Sequence, residues 1–516
     1  EVLVRYLEVF GLTKTLKDLD GMWSFAWFLK EENKMILARD RYGQKPLYYF
    51  KDKHQFIISS EIKAILLLTK KKFYIDKTTA NNFLNIDLVN YDNKTLFSKI
   101  LQIPPSYYCV LNANNNLDYK LGKYFYFKKE NNNLSIKINS QLLKKKLTKS
   151  LILRLSNEVK FGVLISGGID SMINFSMIKK LIHVKKINLF FAPSLNKNNK
   201  DNKSISFVEN YYKLKINKVR LPKKGNIIQK HLDKLTWIND YPLGSISSIN
   251  QYLMGAAARK KNIKILISGQ GADELFYGYL KYYSFYMVNL IKNKNILRFA
   301  VNLYYLIKNN FFSQIKFYNA IKYLNFNFFG KNKFFNQNFL KTPNNYKNFK
   351  NLKKRSFDDM NKFSVPAICH TEDRMYMASG IETRFPYLNK DLQKFSLSLP
   401  NTFKLSYGFT KYILRKAFTN ELPKKLLYRK DKEGFETGVE NFLKKNQVFL
   451  KKNIINGDSL IFKQEIVSKI FLKYFEKYFN SFFFKNSYDA NFIFRVISFE
   501  IWLRVFRKYL FFKKVD

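Results

Sequence analysis

The chain of 516 residues contains only two cysteines, Cys109 and Cys369. Two cysteines are too few for a disulfide framework or for a zinc site built from cysteine. No run of about 18 uncharged apolar residues is present, so no transmembrane helix is expected. The most apolar stretch, residues 491–512, is broken by five charged side chains and predicts an amphipathic helix instead. These absences favour a cytoplasmic protein that is stabilised by ordinary hydrophobic cores.

Acidic residues are scarce, with 39 Asp and Glu against 91 Lys and Arg, and the formal net charge is +52. Such an excess can indicate a nucleic-acid or anionic membrane ligand. Here the lysines are spread along the chain together with abundant Asn, Ile, Phe and Tyr, all of which have A/T-rich codons. Because no basic helix or arginine block concentrates the charge, we attribute it to composition. We expect neither a nucleic acid nor a membrane as partner.

The chain has 46% hydrophobic residues and a length that suits two or three domains. Its first residue is Glu1, and no signal peptide follows. We therefore expect the sequence to begin inside a longer reading frame or to follow processing.

The pattern of apolar residues changes near residue 128. Before it, aromatic and branched runs predict strands, with one helix at 62–68, and the strands are 22–29, 34–39, 46–50 and 55–59. The polar stretch 128–140 predicts a linker.

After the linker, helices alternate with short, fully apolar strands. The helices are predicted at 141–154 and 171–182, and the strands at 161–165, 187–191 and 263–267. Strands that are buried on both faces and separated by helices indicate a doubly wound parallel sheet. Residues beyond about 282 are predicted to be helical, and 291–350 are interpreted as a helical insertion.

A glycine-rich loop lies between the strand at 161–165 and the next helix, and it reads Ser166-Gly167-Gly168-Ile169-Asp170-Ser171. Glycines let backbone N–H groups approach an anion, and a helix N-terminus adds a positive dipole. Asp170 suits such a site only if a divalent cation bridges it to phosphates. The loop is not a P-loop, because no lysine follows the glycines. A strand-to-helix turn with a Ser/Asp cap is the structural alternative.

A second glycine-rich loop follows the strand at 263–267, and it reads Ser268-Gly269-Gln270-Gly271-Ala272-Asp273-Glu274-Leu275-Phe276-Tyr277-Gly278-Tyr279. Open α/β sheets bind ligands at the carboxyl ends of their strands, where Asp273 and Glu274 would lie. An acidic first turn that merely caps a helix is the alternative interpretation.

These loops resemble two segments of the asparagine synthetase family. The first resembles the SGGxDS loop of ATP-pyrophosphatases, and the second resembles the family's SG(E/Q)GADE segment. Residues 372–388, which include Glu372-Asp373-Arg374, and residues 411–435, which include Arg429-Lys430-Asp431-Lys432-Glu433-Gly434-Phe435, resemble later family segments. Residues 19–26, 38–49 and 59–64 resemble the later half of a class II glutaminase domain.

The resemblance implies an α/β protein in two parts. Residues 1–127 would be the remainder of an Ntn-hydrolase (class II glutamine amidotransferase) domain with α/β/β/α layers, and 128–140 the linker. Residues 141–516 would form a HUP-like ATP-pyrophosphatase domain with a doubly wound parallel sheet and extra helices, including the insertion at about 291–350.

The implied reaction is the ATP- and Mg²⁺-dependent conversion of aspartate into asparagine. It would proceed through β-aspartyl-AMP with release of AMP and pyrophosphate, with nitrogen from glutamine or ammonia. The implied site comprises phosphate-binding Ser166, Gly167, Gly168 and Ser171; Ile165, Ser268 and Gly269 at adenosine; Asp170 and Asp273 at Mg²⁺; and catalytic Lys432 and Gln270.

The chain departs from the family at two points. The N-terminal cysteine nucleophile and the glutamine-holding segments are absent from the sequence. We therefore expect this chain to use ammonia, the natural protein to carry the cysteine, and Cys109 and Cys369 to be small buried residues. Gln270 stands where well-studied asparagine synthetases have a glutamate, and an amide cannot act as a base. The acceptor carboxylate is thus less firmly implied than the adenylation.

Three alternatives remain at this stage. A related amidotransferase could amidate another carboxylate, for example in surface polysaccharide biosynthesis. Other ATP-pyrophosphatases, of the NAD, GMP or tRNA-modifying types, share only the first loop. A basic scaffold without activity conflicts with two intact loops. A homodimer stays open.

Overall fold

The computed structural model describes residues 1–112, 118–128, 130–155, 158–194, 199–221, 225–309, 351–429, 439, 442–443 and 487–511. Within these ranges, no helix combines the length and the apolar character needed to cross a bilayer.

The N-terminal layers contain two antiparallel sheets. Their elements are α1 (Val2–Asp18), β1 (Ser24–Leu29), β2 (Lys34–Arg39), β3 (Tyr48–Lys51), β4 (Phe56–Ser59), α2 (Ile62–Thr69), α3 (Lys77–Ile86), β5 (Ile100–Gln102), β6 (Tyr107–Asn112) and β7 (Asp118–Lys123). One sheet has the strand order β1-β2-β6-β7, and the other has the order β4-β3-β5. The strands predicted here agree with β1 to β4 to within two residues at each end.

Alternate side chains of β2 and β3 enter different cores, as the period of two in a strand requires. Leu37 and Tyr49 meet between the sheets, where Cys109 is also buried. On the outer faces, Ala38 packs in the cluster that contains residues of α1, and Tyr48 packs against α2. The layers therefore run helix, sheet, sheet, helix, which confirms the predicted α/β/β/α arrangement.

Helix α1 was not predicted from the sequence. Its apolar residues are not consistently buried, since Leu16 is buried whereas Val2 and Val9 are exposed. Gly11, with φ +71°, interrupts the helical geometry. The guanidinium of Arg41 donates to the carbonyl oxygens of Leu16 and Lys17, so the C-terminal end of α1 is fixed by a residue more than twenty positions away.

The following part is built on a five-stranded parallel sheet with the order β10-β9-β8-β11-β12. Its strands are β8 (Phe161–Leu164), β9 (Asn188–Phe191), β10 (Asn217–Lys218), β11 (Ile265–Ile267) and β12 (Glu382–Arg384). The helices between them are α4 (Ile136–Ile152), α5 (Ile169–Leu181), α6 (Lys200–Tyr212), α7 (Gly225–Asn239), α8 (Ser247–Lys260) and α9 (Ala272–Phe276).

Helices cover both faces of this sheet. Ile265 and Ile267 pack in the core that includes α4 and α5, whereas Leu266 packs with Met254 and Ala258 of α8. The sheet is therefore doubly wound, as predicted. One detail differs: α4 begins at Ile136 behind the N-cap Ser135, so the end of the predicted linker is helical. The Ser135 hydroxyl accepts from the Ile138 N–H at 3.4 Å, which starts the helix early.

The strand order places a switch point beside β8. The chain moves outward from β8 to β9 and β10 and then returns to form β11 on the other side of β8. Connections that diverge in this way leave a crevice at the carboxyl ends of the two central strands. Both glycine-rich loops start there.

The remaining described helices are α10 (Leu280–Lys292), α11 (Ile296–Lys308), α12 (Leu352–Asp358), α13 (Val365–Met377), α14 (Lys390–Ser398), α15 (Asn401–Lys404), α16 (Tyr412–Ala417), α17 (Lys424–Leu427) and α18 (Ser487–Val505), with a π-helical turn at Asp359–Phe363. Part of the predicted insertion, including 310–350, lies outside the described residues.

Helix α18 corrects one prediction. A helix was expected at 491–512, but with one apolar face; instead its described side chains are buried on nearly all sides. The reason is that α18 lies between α3 and α7, where Phe494 and Trp502 join one core. Arg495, a charge that suggested a solvent-facing side, is buried and donates to the Leu84 carbonyl oxygen at 3.0 Å.

Helix α13 joins the N-terminal layers to the parallel sheet through polar contacts. Asp373 pairs with Lys45 at 2.5 Å, and Arg374 pairs with Glu61 at 2.9 Å. Arg374 also lies 3.8 Å from the buried Asp240, which follows α7. Arg374 and Asp240 are both shielded from water, so each stabilises the charge of the other. The two parts of the chain therefore share a polar network around this buried pair, and its outer members Lys45 and Glu61 are partly exposed.

Candidate active site

The first loop is held in shape by its own hydroxyl groups. The Ser171 hydroxyl donates to the Gly168 carbonyl oxygen at 3.1 Å and accepts from the Ser166 N–H at 3.1 Å. Gly167 has φ +68°, and a Cβ there would lie 2.8 Å from the Ser204 hydroxyl. The sequence Ser-Gly-Gly therefore permits a tight turn that a larger residue would open. Asp170 falls in the first turn of α5.

The second loop packs directly on the first. A Cβ on Gly269 would come within 3.2 Å of the Ser171 nitrogen, so glycine permits the close approach. Asn174 of α5 donates to the Ser268 carbonyl oxygen at 3.1 Å, which ties the loops together. Gly271 adopts φ +90° before the short helix α9, and this turn brings Asp273 back towards Asp170.

Asp170 and Asp273 converge on the ammonium group of Lys411. Lys411 Nζ lies 2.5 Å from Asp170 Oδ2 and 2.6 Å from Asp273 Oδ1. Lys411 is 3% exposed and begins α16 in the left-handed conformation. A Cβ on Gly278 would lie 2.1 Å from Lys411 Cε, so that glycine makes room for the lysine. Two carboxylates thus face one buried cationic position.

This donor set fits a magnesium–triphosphate site. Mg²⁺ is usually held by one or two carboxylates together with substrate phosphates, rather than by a cage of protein ligands. Among the described residues, no group of three or more His, Cys, Asp or Glu could hold a metal ion. Asp170 and Asp273 therefore suit an ion that arrives with phosphates, and Lys411 already shows that the position accepts positive charge.

A cavity of about 270 Å³ opens beside this pair. Eight of the predicted site residues line it, namely Ile165, Ser166, Asp170, Ser171, Ser268, Gly269, Gln270 and Asp273. Gly167 and Gly168 shape the loop but do not line the cavity. Lys432 lies outside the described residues, so its predicted role is neither supported nor contradicted by a contact.

The segment that leads to Lys432 does reach the first loop. Arg429, the last residue described before it, donates to the Gly167 carbonyl oxygen at 3.1 Å. The same guanidinium pairs with Asp201 of α6 at 2.5 Å. Lys432 is thus only three positions after Arg429, a residue that contacts the first glycine-rich loop.

Glu372 is a carboxylate of the cavity to which the sequence analysis assigned no role. It lies on α13, is 2% exposed and lines the cavity. The Gln270 amide donates to Glu372 Oε1 at 2.9 Å. Burial raises the pKa of Glu372 to about 7, against the opposing effects of Gln270 and the Ser268 hydroxyl. Its signal in the sequence was only its place in the Glu372-Asp373-Arg374 segment.

Lys411 was missed in the same way, since it was noted at the start of a family segment without a function. Tyr279, Ile368 and Tyr376 complete much of the apolar wall of the cavity. A second buried acid, Glu274, does not line the cavity. Glu274 accepts from the hydroxyls of Ser364 and Tyr279, and burial raises its pKa to about 7.

The chain is an α/β protein with a doubly wound parallel sheet, and its cavity lies at the switch point beside β8, between two glycine-rich loops. Comparison with known families agrees. The asparagine synthase model matches residues 142–504, and the glutamine amidotransferase domain model matches residues 1–125. The chain belongs to the asparagine synthase family.

Its curated relatives are distant. The chain is 25% identical over 476 residues to the glutamine-hydrolyzing asparagine synthetase 1 of Bacillus subtilis (strain 168), which covers 85% of this chain and 71% of that protein. It is 24% identical over 464 residues to the asparagine synthetase of Rattus norvegicus, covering 85% and 67%. It is also 23% identical over 303 residues to the amidase chry2 of Gibberella zeae, covering 54% and 43%.

Proposed function

We propose that the protein activates a carboxylate with ATP and converts it into an amide, with aspartate as acceptor and asparagine as product. The observation that carries this proposal is the convergence of Asp170 and Asp273 on one buried cationic position beside the cavity. A site with that arrangement can neutralise a phosphate chain while a carboxylate attacks it.

In this proposal the carboxylate of the acceptor attacks the α-phosphate of ATP and releases pyrophosphate. Ser166, Gly167, Gly168 and Ser171 hold the phosphates, and Ile165, Ser268 and Gly269 contact the adenosine. Asp170 and Asp273 would hold Mg²⁺, which supplies charge neutralisation. Lys411 adds a second positive charge at the same place, and Lys432 is proposed to stabilise charge on the transferred phosphates.

The nitrogen is proposed to come from glutamine through the N-terminal layers, or directly from ammonia. We further propose domain boundaries near residues 127 and 141, and a cytoplasmic enzyme that acts on small molecules. Nothing in the described surface bears on a homodimer, which stays a proposal from the family.

A second acceptor is favoured by one feature of the cavity. Its described lining contains no arginine or lysine. Aspartate carries a second carboxylate, which would need a cationic partner there. An acceptor with a single carboxylate and neutral polar groups would suit the lining side chains of Gln251, Gln270 and Tyr376 equally well.

Pyrophosphate–ATP exchange across a panel of carboxylates tests both versions. Exchange that depends on aspartate supports asparagine synthesis. Exchange that occurs with another carboxylate but not with aspartate supports adenylation and shows that the acceptor is not aspartate. If no carboxylate promotes exchange while Mg²⁺ and ATP are present, the adenylation proposal is wrong.

A further inference from the structure

Gln270 and Glu372 form a hydrogen-bonded pair in the lining of the cavity. Gln270 belongs to the second loop and Glu372 to α13, so two separate elements bring them together. Gln251 of α8 also reaches Glu372 Oε1, at 3.4 Å. Both amides thus address one oxygen of the carboxylate.

The other oxygen, Glu372 Oε2, is buried and has no hydrogen bond of ordinary geometry among the described residues, although the Ser268 hydroxyl is near enough to lower the pKa of the carboxyl. An unsatisfied buried carboxylate oxygen is costly unless a ligand supplies the partner. Glu372 lines the cavity, so its side chain borders the space that a substrate would fill. Two amides hold one oxygen of its carboxylate, and no strong donor neutralises the other.

The charged and titratable groups around Glu372 do not neutralise it. Asp373 and Arg374, its neighbours on α13, pair with Lys45 and Glu61 of the N-terminal layers. Across the cavity, Asp170 and Asp273 share Lys411. The thiol of Cys369 and the phenol of Tyr376 lie on α13, and burial raises the pKa of both well above the ordinary value. Glu372 is thus left as a buried acid with neutral neighbours.

We propose that Glu372 is the general base that takes the proton from the attacking nitrogen nucleophile, and that Gln270 is its positioning residue. This inference rests on the proposed function, because it concerns the second half of that reaction. It also explains how a site with an amide at position 270 can still remove a proton.

Ammonia attacks the acyl carbon of the acyl-adenylate, and a C–N bond forms. The nitrogen, which is then positively charged, gives one proton to the carboxylate of Glu372. The acyl C–O bond breaks, and its electron pair leaves on the phosphate oxygen of AMP. Glu372 returns its proton to water, so that acyl-adenylate and ammonia yield amide, AMP and one proton.

The decisive variant is Glu372→Gln, which keeps the size and hydrogen-bonding shape of the side chain. Aspartate-dependent pyrophosphate–ATP exchange is measured on the same preparation, because the acyl-adenylate forms before Glu372 is proposed to act, and amide formation is expressed relative to it. Amide formation from ammonium should fall by about 10²-fold or more, the usual value of a general base. Hydroxylamine, a stronger nucleophile that is largely unprotonated at neutral pH, should restore a large part of the lost rate.

Glu274→Gln is the matched control. Glu274 has the same residue type, a similar burial and a pKa raised to about 7, but it does not line the cavity. Its ratio of amide formed to pyrophosphate exchanged should equal that of wild type. A loss of equal size in both variants would assign the effect to general destabilisation and overturn the proposal.

The pH profile separates a base from a structural residue. Rates are compared with wild type at each pH, so that the changing fraction of free ammonia cancels. Gln270→Ala removes a hydrogen bond that lowers the pKa of Glu372. The midpoint of the ratio of amide formed to pyrophosphate exchanged should therefore move to higher pH. An unmoved midpoint would contradict the positioning role.

Infrared titration gives an answer that needs no substrate. Wild-type protein should show two carboxyls that titrate near neutral pH, of which Glu372→Gln loses one and Glu274→Gln loses the other. If the wild type lacks exchange with every carboxylate, the proposed function fails. If exchange persists and Glu372→Gln still forms amide from ammonium at the wild-type rate, only the base proposal fails.

Discussion

Replacing Lys411 by methionine tests whether Asp170 and Asp273 form a cation site. Methionine keeps much of the aliphatic length but removes the charge that both carboxylates contact at 2.5 and 2.6 Å. Their side chains are only 7% and 18% exposed, so water replaces little of the lost interaction. Breaking a buried pair by removing one partner costs about 3–5 kcal/mol. Because Asp273 is partly hydrated, we expect the lower end, about 3 kcal/mol.

Urea unfolding with and without Mg²⁺ measures both the loss and its repair. Mg²⁺ can occupy the position that the ammonium leaves, so it should stabilise Lys411→Met more than wild type. Binding at ten times the dissociation constant contributes about 1.4 kcal/mol. Lys394→Met, at an exposed position on α14, is the control and should change stability by less than about 0.5 kcal/mol.

Two results would refute this reasoning. If Lys411→Met is as stable as Lys394→Met, the lysine does not neutralise the carboxylates. If Mg²⁺ stabilises Lys411→Met no more than it stabilises Asp170→Asn, the two aspartates do not hold the ion.

Three further predictions address the phosphates and the buried acids. Asp170→Asn should abolish acceptor-dependent pyrophosphate–ATP exchange while circular dichroism shows an intact fold; exchange at the wild-type rate would remove Asp170 from the metal site. Lys432→Ala should lower kcat by about 10²-fold or more with a much smaller effect on ATP binding, and Lys430→Ala should be mild; equal small effects in steady-state assays would mean that Lys432 is an ordinary lysine. The pKa of Glu274 is raised from 4.5 to about 7, so the folded state holds a proton that the unfolded state has lost, and stability falls as pH rises from 4.5 to 7. Glu274→Gln should remove that dependence and add about 3 kcal/mol at pH 8 in urea unfolding, and an unchanged pH slope would contradict the shift.

The parts of this structure that could be predicted are those encoded within short stretches. Each glycine-rich loop can be recognised from its own residues and from the apolar strand before it. The position of the site, at the carboxyl ends of two central strands, could therefore be predicted from the sequence. Three strands of the parallel sheet, β8, β9 and β11, were predicted because both of their faces are apolar, whereas β10 and β12 were missed because they are short and polar. Helix α1 was missed because its apolar residues follow no helical period and Gly11 interrupts it.

The chemical pairs could not be predicted, because their members are far apart in the chain. Lys411 meets Asp170 across 241 positions, and Gln270 meets Glu372 across 102. No local pattern distinguishes Lys411 from the many other basic residues. The amide at Gln270 indicated only that the glutamate found there in other asparagine synthetases is absent. The fold identifies the partner by bringing α13 to the loop.

Helix α13 also limits how the chain can be divided. Three successive side chains point in three directions, with Glu372 at the cavity, Asp373 at Lys45 and Arg374 at Glu61 and Asp240. A graft that exchanges the N-terminal layers for those of a relative would therefore have to carry Lys45 and Glu61 with it, or the helix that presents Glu372 would lose its support. For protein engineering, the useful unit of exchange is the pair of layers together with α13, and not the sequence segment on either side of residue 128.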